Sequence, residues 1–303
     1  MRLVRVGTRG STLAIAQSNW LKEQLLQHDH KLEVELVVIK TSGDRFVDKP
    51  ISAIGGKGVF TKEIEDTLLR EEIDLAVHSM KDLPTELPAG LTIAAIPKRE
   101  DPRDVLVTRE KCLLSELPTG AKIGTGSLRR RAQILHHRSD LSVMPIRGNV
   151  DTRIRKLDLG EVDALIMAAA GLKRIGRQDR IAEYLPNEIC VSAVAQGALG
   201  IEARNDGWAR ELVAYLHDAD TSVEVSAERS FSKRLAGDCL VPIGARARTE
   251  GERLKMIGVV ASADGEALCR GEITGSLSDA VALGRRLAER LLEDGADRLL
   301  KLT

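Results

Sequence analysis

Apolar runs recur along the first two thirds of the chain, at residues 3–6, 34–39, 73–78, 91–96, 105–107, 141–146 and 164–167, and segments of helical spacing lie between many of them. This alternation predicts α/β layers on a largely parallel sheet. Residues 12–26 read as a helix with apolar positions at Leu13, Ala16, Trp20 and Leu21, while Phe60, Ile64 and Leu68 recur every four residues on another. Both stripes are expected to face the core. After about residue 218 the pattern changes to a helix at 222–235, alternating strands at 254–262 and 267–274, and a long helix at 278–292. Strands and helices without parallel crossovers predict a small α+β domain with an antiparallel sheet.

Two echoes run through the α/β part. Val6-Gly7-Thr8-Arg9-Gly10-Ser11 is answered by Ile123-Gly124-Thr125-Gly126-Ser127, and Glu72-Ile73-Asp74-Leu75-Ala76-Val77 by Glu161-Val162-Asp163-Ala164-Leu165-Ile166. Chance likeness between apolar runs is the alternative. Their common order points to two related lobes, with the cleft between them as the default ligand site. Residues 41–58 collect Gly, Lys, Asp and Pro without periodicity, which predicts a mobile loop.

Composition narrows the partners. Lys plus Arg and Asp plus Glu each number 45 and only 2% of residues are aromatic, so neither a global positive field nor base-stacking surfaces favour nucleic acid or an anionic membrane. The longest apolar stretch, residues 164–172, is half of the ~18 residues a membrane span needs. Arginines interrupt the first apolar run, so no export signal is read there and a cytoplasmic location is expected. Cys112, Cys190, Cys239 and Cys269 form no CxxC pair, which suits reduced thiols better than a disulfide frame or a metal site. No residual apolar face remains after the core stripes are assigned, which favours a monomer.

Candidate chemistry gathers at strand ends. In Ile73-Asp74-Leu75-Ala76-Val77-His78-Ser79-Met80-Lys81-Asp82-Leu83-Pro84 an apolar strand ends in a polar run, and Asp82 sits where open α/β sheets place ligand groups. A turn aspartate before Leu-Pro is the plainer reading. Three turns combine small residues with arginine: Arg9 with Ser11, Ser127 with Arg129 and Arg130, and Arg147-Gly148-Asn149 with Arg153. Backbone N–H groups at a helix start and planar guanidinium forks suit carboxylates, and three such turns in a neutral protein suggest one ligand with many negative charges. Cys112, Cys190 and Cys269 read as small buried hydrophobes. Cys239, between Gly237 and Pro242-Ile243-Gly244, reads as a loop thiol able to carry a covalent group.

Together these stretches, with Gly55-Gly56-Lys57-Gly58 and Phe60, resemble the porphobilinogen deaminase (hydroxymethylbilane synthase) family along essentially the whole chain. Departures are Gly126 for serine, Thr12 for proline, and Asp238 and Leu240 beside the cysteine. Asp238 is expected to raise the thiol's pKa. The resemblance implies an α/β fold of two related periplasmic-binding-protein-like lobes around a cleft, plus the small C-terminal α+β domain. The expected divisions are residues 1–97 with 197–217, residues 98–196, and residues 218–303.

It also implies a dipyrromethane cofactor attached through Cys239, which primes the head-to-tail joining of four porphobilinogen units into a linear tetrapyrrole. Ammonia leaves each unit, giving an azafulvene-like cation that the terminal pyrrole attacks. Asp82 would be the catalytic carboxylate. Lys81, Ser127, Arg129, Arg130 and Asp82 would bind the cofactor, and Arg9, Ser11, Lys57, Phe60, Arg147, Arg153 and Gln196 the substrate, with Gln196 alternatively only joining the lobes. No metal is expected, and transient contact with a following cyclase is. The competing reading is a two-lobed anion-binding protein without catalysis, which needs neither the loop cysteine nor Asp82.

Overall fold

The computed structural model describes residues 2–42, 61–84, 86–235 and 242–301. Lys57, Phe60, Cys239 and all but the start of the predicted mobile loop lie outside the described residues. The chain divides into two compact units, Met1–Arg99 with Ala198–Thr221, and Glu100–Gly197 with Ser222–Thr303.

In the first unit β1 (Arg2–Thr8), β2 (Leu32–Val38), β3 (Leu75–Ser79), β4 (Leu91–Ala95) and the late-arriving β10 (Leu199–Arg204) form one sheet in the order β2-β1-β3-β10-β4. β1 is parallel to β2 and β3, whereas β10 is antiparallel to β3 and β4. Alternation along β3 sets the layers. Leu75 and Val77 join Val4, Val6, Leu21 and Leu25 under helix Thr12–His28, while Ala76 joins Ile64 and Leu68 of helix Lys62–Leu69 on the other face. Full burial of each large apolar side chain contributes about 1.5–3 kcal/mol.

The second unit repeats the plan with β5 (Asp104–Thr108), β6 (Lys122–Gly124), β7 (Ser142–Met144), β8 (Ala164–Ala168) and β9 (Ile181–Tyr184), in the order β7-β6-β8-β5-β9. β6 is parallel to β7 and β8, and β5 is antiparallel to β8 and β9. Thus β6 takes the place of β1, β8 of β3 and β5 of β10, and the sequence echoes fall on equivalent strands of two sheets of like order. The same unit carries β11 (Ile243–Glu250), β12 (Arg253–Ala261) and β13 (Leu268–Ser276), an antiparallel sheet packed by helices Ala219–Arg234 and Ala280–Leu291 around Phe231, Met256, Leu283, Leu287 and Leu291.

Three expectations need correction. The large sheets are mixed rather than largely parallel, because β10 and β5 enter between strands that run against them. The small sheet has three strands, since β11 begins in the segment read as loop. The first helix buries Gln17, Ser18, Leu21 and Leu25, and only Leu21 of the predicted stripe is among them.

Candidate active site

β1 ends at Thr8, and Ser11 caps the helix that follows: its Oγ accepts from the Ala14 N–H at 3.3 Å. β3 ends at Ser79 and passes into a 3-10 turn, Met80–Asp82. The turn is pinned from inside. Met80 is buried, and its N–H donates to the Ala198 carbonyl at 3.0 Å, which leaves Lys81 half-buried and Asp82 exposed. Among the described residues Asp82 makes no hydrogen bond or ion pair, so its carboxylate is available to a ligand. It lines a cavity of about 70 Å³ with Arg9, Ser11, Gln17, His78 and Ser79. The Gln17 Nε2 donates to the Ser79 Oγ at 3.0 Å, across the joint between helix and strand.

The second unit places arginines at the equivalent helix start. Ser127 caps helix Leu128–His137, its Oγ accepting from the Arg130 N–H at 3.4 Å. Arg129 and Arg130 lie in the first turn and are 5% and 6% exposed. Both converge on Asp104, 0% exposed at the start of β5: the Arg129 Nη1 donates to Oδ2 at 2.6 Å and the Arg130 Nε to Oδ1 at 2.9 Å. Gln196 completes the anchor, its Nε2 donating to Oδ1 at 2.9 Å and to the Pro102 carbonyl at 2.7 Å. Burial alone would raise the Asp104 carboxyl, but the Arg129 and Arg130 charges and the hydrogen bonds of Arg129 and Gln196 hold it well below the usual range.

Arg147 and Arg153 flank the turn after β7. Asn149 caps helix Val150–Asp158, and Gly148, at φ 107°, makes the left-handed bend; a Cβ there would meet the Thr152 side chain at 2.6 Å. The Arg153 Nε donates to the Gly148 carbonyl at 2.8 Å. Burial first, and then the charges of Arg130 and Arg147, push the Arg153 pKa down to about 10. A buried Arg153 beside the like charges of Arg130 and Arg147 fits a ligand bearing several carboxylates. No group of three His, Cys, Asp or Glu among the described residues could hold a metal ion.

Sequence reasoning missed several members of these clusters. Gln17 could have been found as a polar residue on the buried stripe of its helix. Asp104 reads as one acid in Arg99-Glu100-Asp101-Pro102-Arg103-Asp104 and carries no local signal. Arg174 was also missed: its Nη2 donates to the Gly197 carbonyl at 2.6 Å, and burial holds its pKa at about 10. Cys190 is buried as expected but is no mere hydrophobe, since its thiol donates to Asp104 Oδ2 at 3.3 Å and burial pushes its pKa up to about 12. Cys112 and Cys269 are only partly buried.

A family model described as porphobilinogen deaminase, dipyromethane cofactor binding domain, matches residues 4–210, and one described as porphobilinogen deaminase, C-terminal domain, matches residues 222–293. The chain belongs to the porphobilinogen deaminase family. Curated relatives named porphobilinogen deaminase agree along nearly the full length. That of Pelobacter propionicus is 50% identical, covering 99% of this chain and 97% of the relative. Those of Syntrophobacter fumaroxidans and Geobacter sulfurreducens are 51% and 49% identical, covering 99% and 98% of this chain and 97% and 93% of the relatives. Among solved structures, the methionine-binding protein MetQ is 13% identical, with a TM-score of 0.44 over 75% of this chain and 94% of that one. No helix among the described residues is long and apolar enough to cross a membrane.

Proposed function

We propose that Asp82 is the catalytic carboxylate of this family member and that the second unit's arginines carry its polyanionic ligand. The chain is a transferase that deaminates porphobilinogen and joins four units head to tail on a dipyrromethane primer, releasing the linear tetrapyrrole hydroxymethylbilane for haem and tetrapyrrole biosynthesis. When bound, the primer supplies the free pyrrole α-carbon at which joining begins.

The observation that carries the assignment is an exposed carboxylate, without a partner among the described residues, on a turn pinned from beneath. As ammonia leaves the substrate, positive charge develops on the pyrrole nitrogen. A carboxylate fixed toward that N–H stabilises the transition state more than the ground state. The same carboxylate is within its chemistry to accept the α-proton lost on coupling. Arg147 and Arg153, with the Ser127 hydroxyl, hold acetate and propionate groups, and the Arg130 charge beside Arg153 adds to the field they feel. Arg129 and Arg130 both pair with the buried Asp104, and Arg129 contributes mainly through that shared anchor. Gln196 acts through that same anchor. Arg9, Ser11 and Lys81, with Lys57 and Phe60, complete ligand binding, and Cys239 is the attachment point.

Free Cys112, Cys190 and Cys269 support a reducing, cytoplasmic setting. The exposed apolar residues Val38, Leu159 and Val281 lie on separate elements, which supports a monomer. The linear product must be consumed by a ring-closing enzyme, and transient contact with such a cyclase is part of the proposal.

Intact-protein mass spectrometry under denaturing conditions, with peptide mapping, tests the reading. We expect the mass of two linked pyrrole units on the Cys239 peptide and none in Cys239→Ser. A wild-type chain that stays unmodified after incubation with porphobilinogen would contradict it.

A further inference from the structure

Beside the Asp82 cavity lies a second set of titratable side chains for which the reaction above has no use. β10 pairs antiparallel with β3 so that Glu202 stands opposite Ala76, which puts its side chain on the sheet face of His78, two residues further along β3. Glu202 Oε2 and His78 Nε2 are 2.9 Å apart, within ion-pair reach. Their orientation falls short of a directed hydrogen bond, and neither Glu202 oxygen has a hydrogen-bond partner among the described residues. Glu202 is 0% exposed and His78 6%. Glu65, also buried, joins them from helix Lys62–Leu69. Burial raises the Glu65 carboxyl above its usual range; the Thr61 hydroxyl opposes this, the Glu202 charge adds to it, His78 opposes it and Asp66 adds to it.

The same helix and strand region also buries an apolar cluster of Ile64, Leu68, Ile73, Ala76 and Leu91. Apolar side chains would pack this space at lower cost than two acids and an imidazole, because a buried charge without a full set of partners is destabilising. Buried groups left unsatisfied in this way concentrate at functional sites. Of the three, only His78 lines the cavity that Asp82 lines. It is also continuous in chain with Ser79 and the Met80–Asp82 turn.

We propose that Glu202 is a positioning residue that acts through His78, holding the Nε2 edge of the ring so that the cavity wall and the Ser79–Asp82 turn keep one geometry through the reaction. The inference rests on Asp82 being the catalytic carboxylate. Angular errors at a fixed reacting group reduce kcat more than KM.

The test uses full-length, cofactor-loaded protein with Glu202→Gln, Glu202→Asp, His78→Gln and the double variant Glu202→Gln/His78→Gln. Glu202→Gln is expected to lower kcat by about tenfold or more with KM for porphobilinogen within about twofold. Its kcat–pH profile should differ from wild type, Glu202→Asp should recover part of the loss, and the double variant should be no worse than the worse single one. Wild-type kcat and pH profile in folded Glu202→Gln would overturn the proposal, as would additive losses in the double variant. Should Glu202→Gln not fold, unchanged kcat and pH profile in His78→Gln would overturn it in the same way. Full turnover by Asp82→Asn in the same series would instead remove the reading on which the proposal stands.

Discussion

The two large sheets share one strand order and one kind of capped helix start, yet they carry opposite charge. In the first unit the strand end presents Asp82, and the buried groups behind it are Glu202, Glu65 and His78. In the second, the equivalent strand β8 ends at Ala168 and is followed directly by Ala169 of the next helix, and the charge moves to the helix start as Arg129 and Arg130. The register explains how. Leu199 on β10 faces Ser79, whereas Asp104 on β5 faces Ala168. A leucine at this position keeps the first unit's sheet end apolar, while an aspartate there draws two guanidiniums into the core. Two sheets of one strand order thus supply equivalent positions, and a few residues at the sheet ends decide whether a carboxylate or guanidiniums gather there.

Removing the anchor from the second unit should give the largest effect. Asp104→Asn keeps the shape but leaves two buried guanidiniums without their counter-charge, which is expected to cost about 3–5 kcal/mol and lower the melting temperature by ~10 °C in calorimetry. The pH dependence has a definite sign. Because the folded pKa of Asp104 lies below its unfolded value, its contribution is fully present above the ordinary carboxylate range and is lost only as pH falls through the depressed value. The wild type should therefore lose more stability than Asp104→Asn on acidification below about pH 4.

A smaller effect separates binding from stability within that unit. Arg153 sits near two other arginines and its pKa is pushed down to about 10, so its charge costs stability at neutral pH and the cost is relieved only as pH rises past that value. Arg153→Gln should weaken porphobilinogen loading about tenfold, as expected for loss of a charged hydrogen bond. Its melting temperature should fall far less than that of Asp104→Asn, because the lost bond to Gly148 is offset by relief of repulsion.

The smallest effect probes what the two units have in common. Ser11→Ala and Ser127→Ala each remove a helix cap and should each cost about 1 kcal/mol in denaturant unfolding. Markedly unequal losses would mean that the two helix starts are not equivalent.

What was legible in the sequence was local. Asp82 and the arginine turns are read within a few residues, because turn chemistry and strand ends leave short signatures, and the echoes between β1 and β6 and between β3 and β8 survive for the same reason. The Asp104 anchor was not legible. Its partners Arg129, Arg130, Cys190 and Gln196 are far away in sequence and meet only once β5 is seated against β8. The direction of β10 is likewise set by where the chain returns, so the mixed sheets could not be read from periodicity. β6 and β9 are too short to show any. Gln17 was hidden by the assumption that a buried stripe is apolar.

The central claim is the division of labour, and turnover of porphobilinogen by Asp82→Asn tests it most directly, with intact mass recorded on the same sample. The account predicts a folded protein that carries the cofactor mass, with kcat reduced by ~10²–10³ or more, the usual loss when a preorganised charge stabiliser is neutralised. Cofactor-loaded Asp82→Asn turning over at the wild-type rate would contradict it.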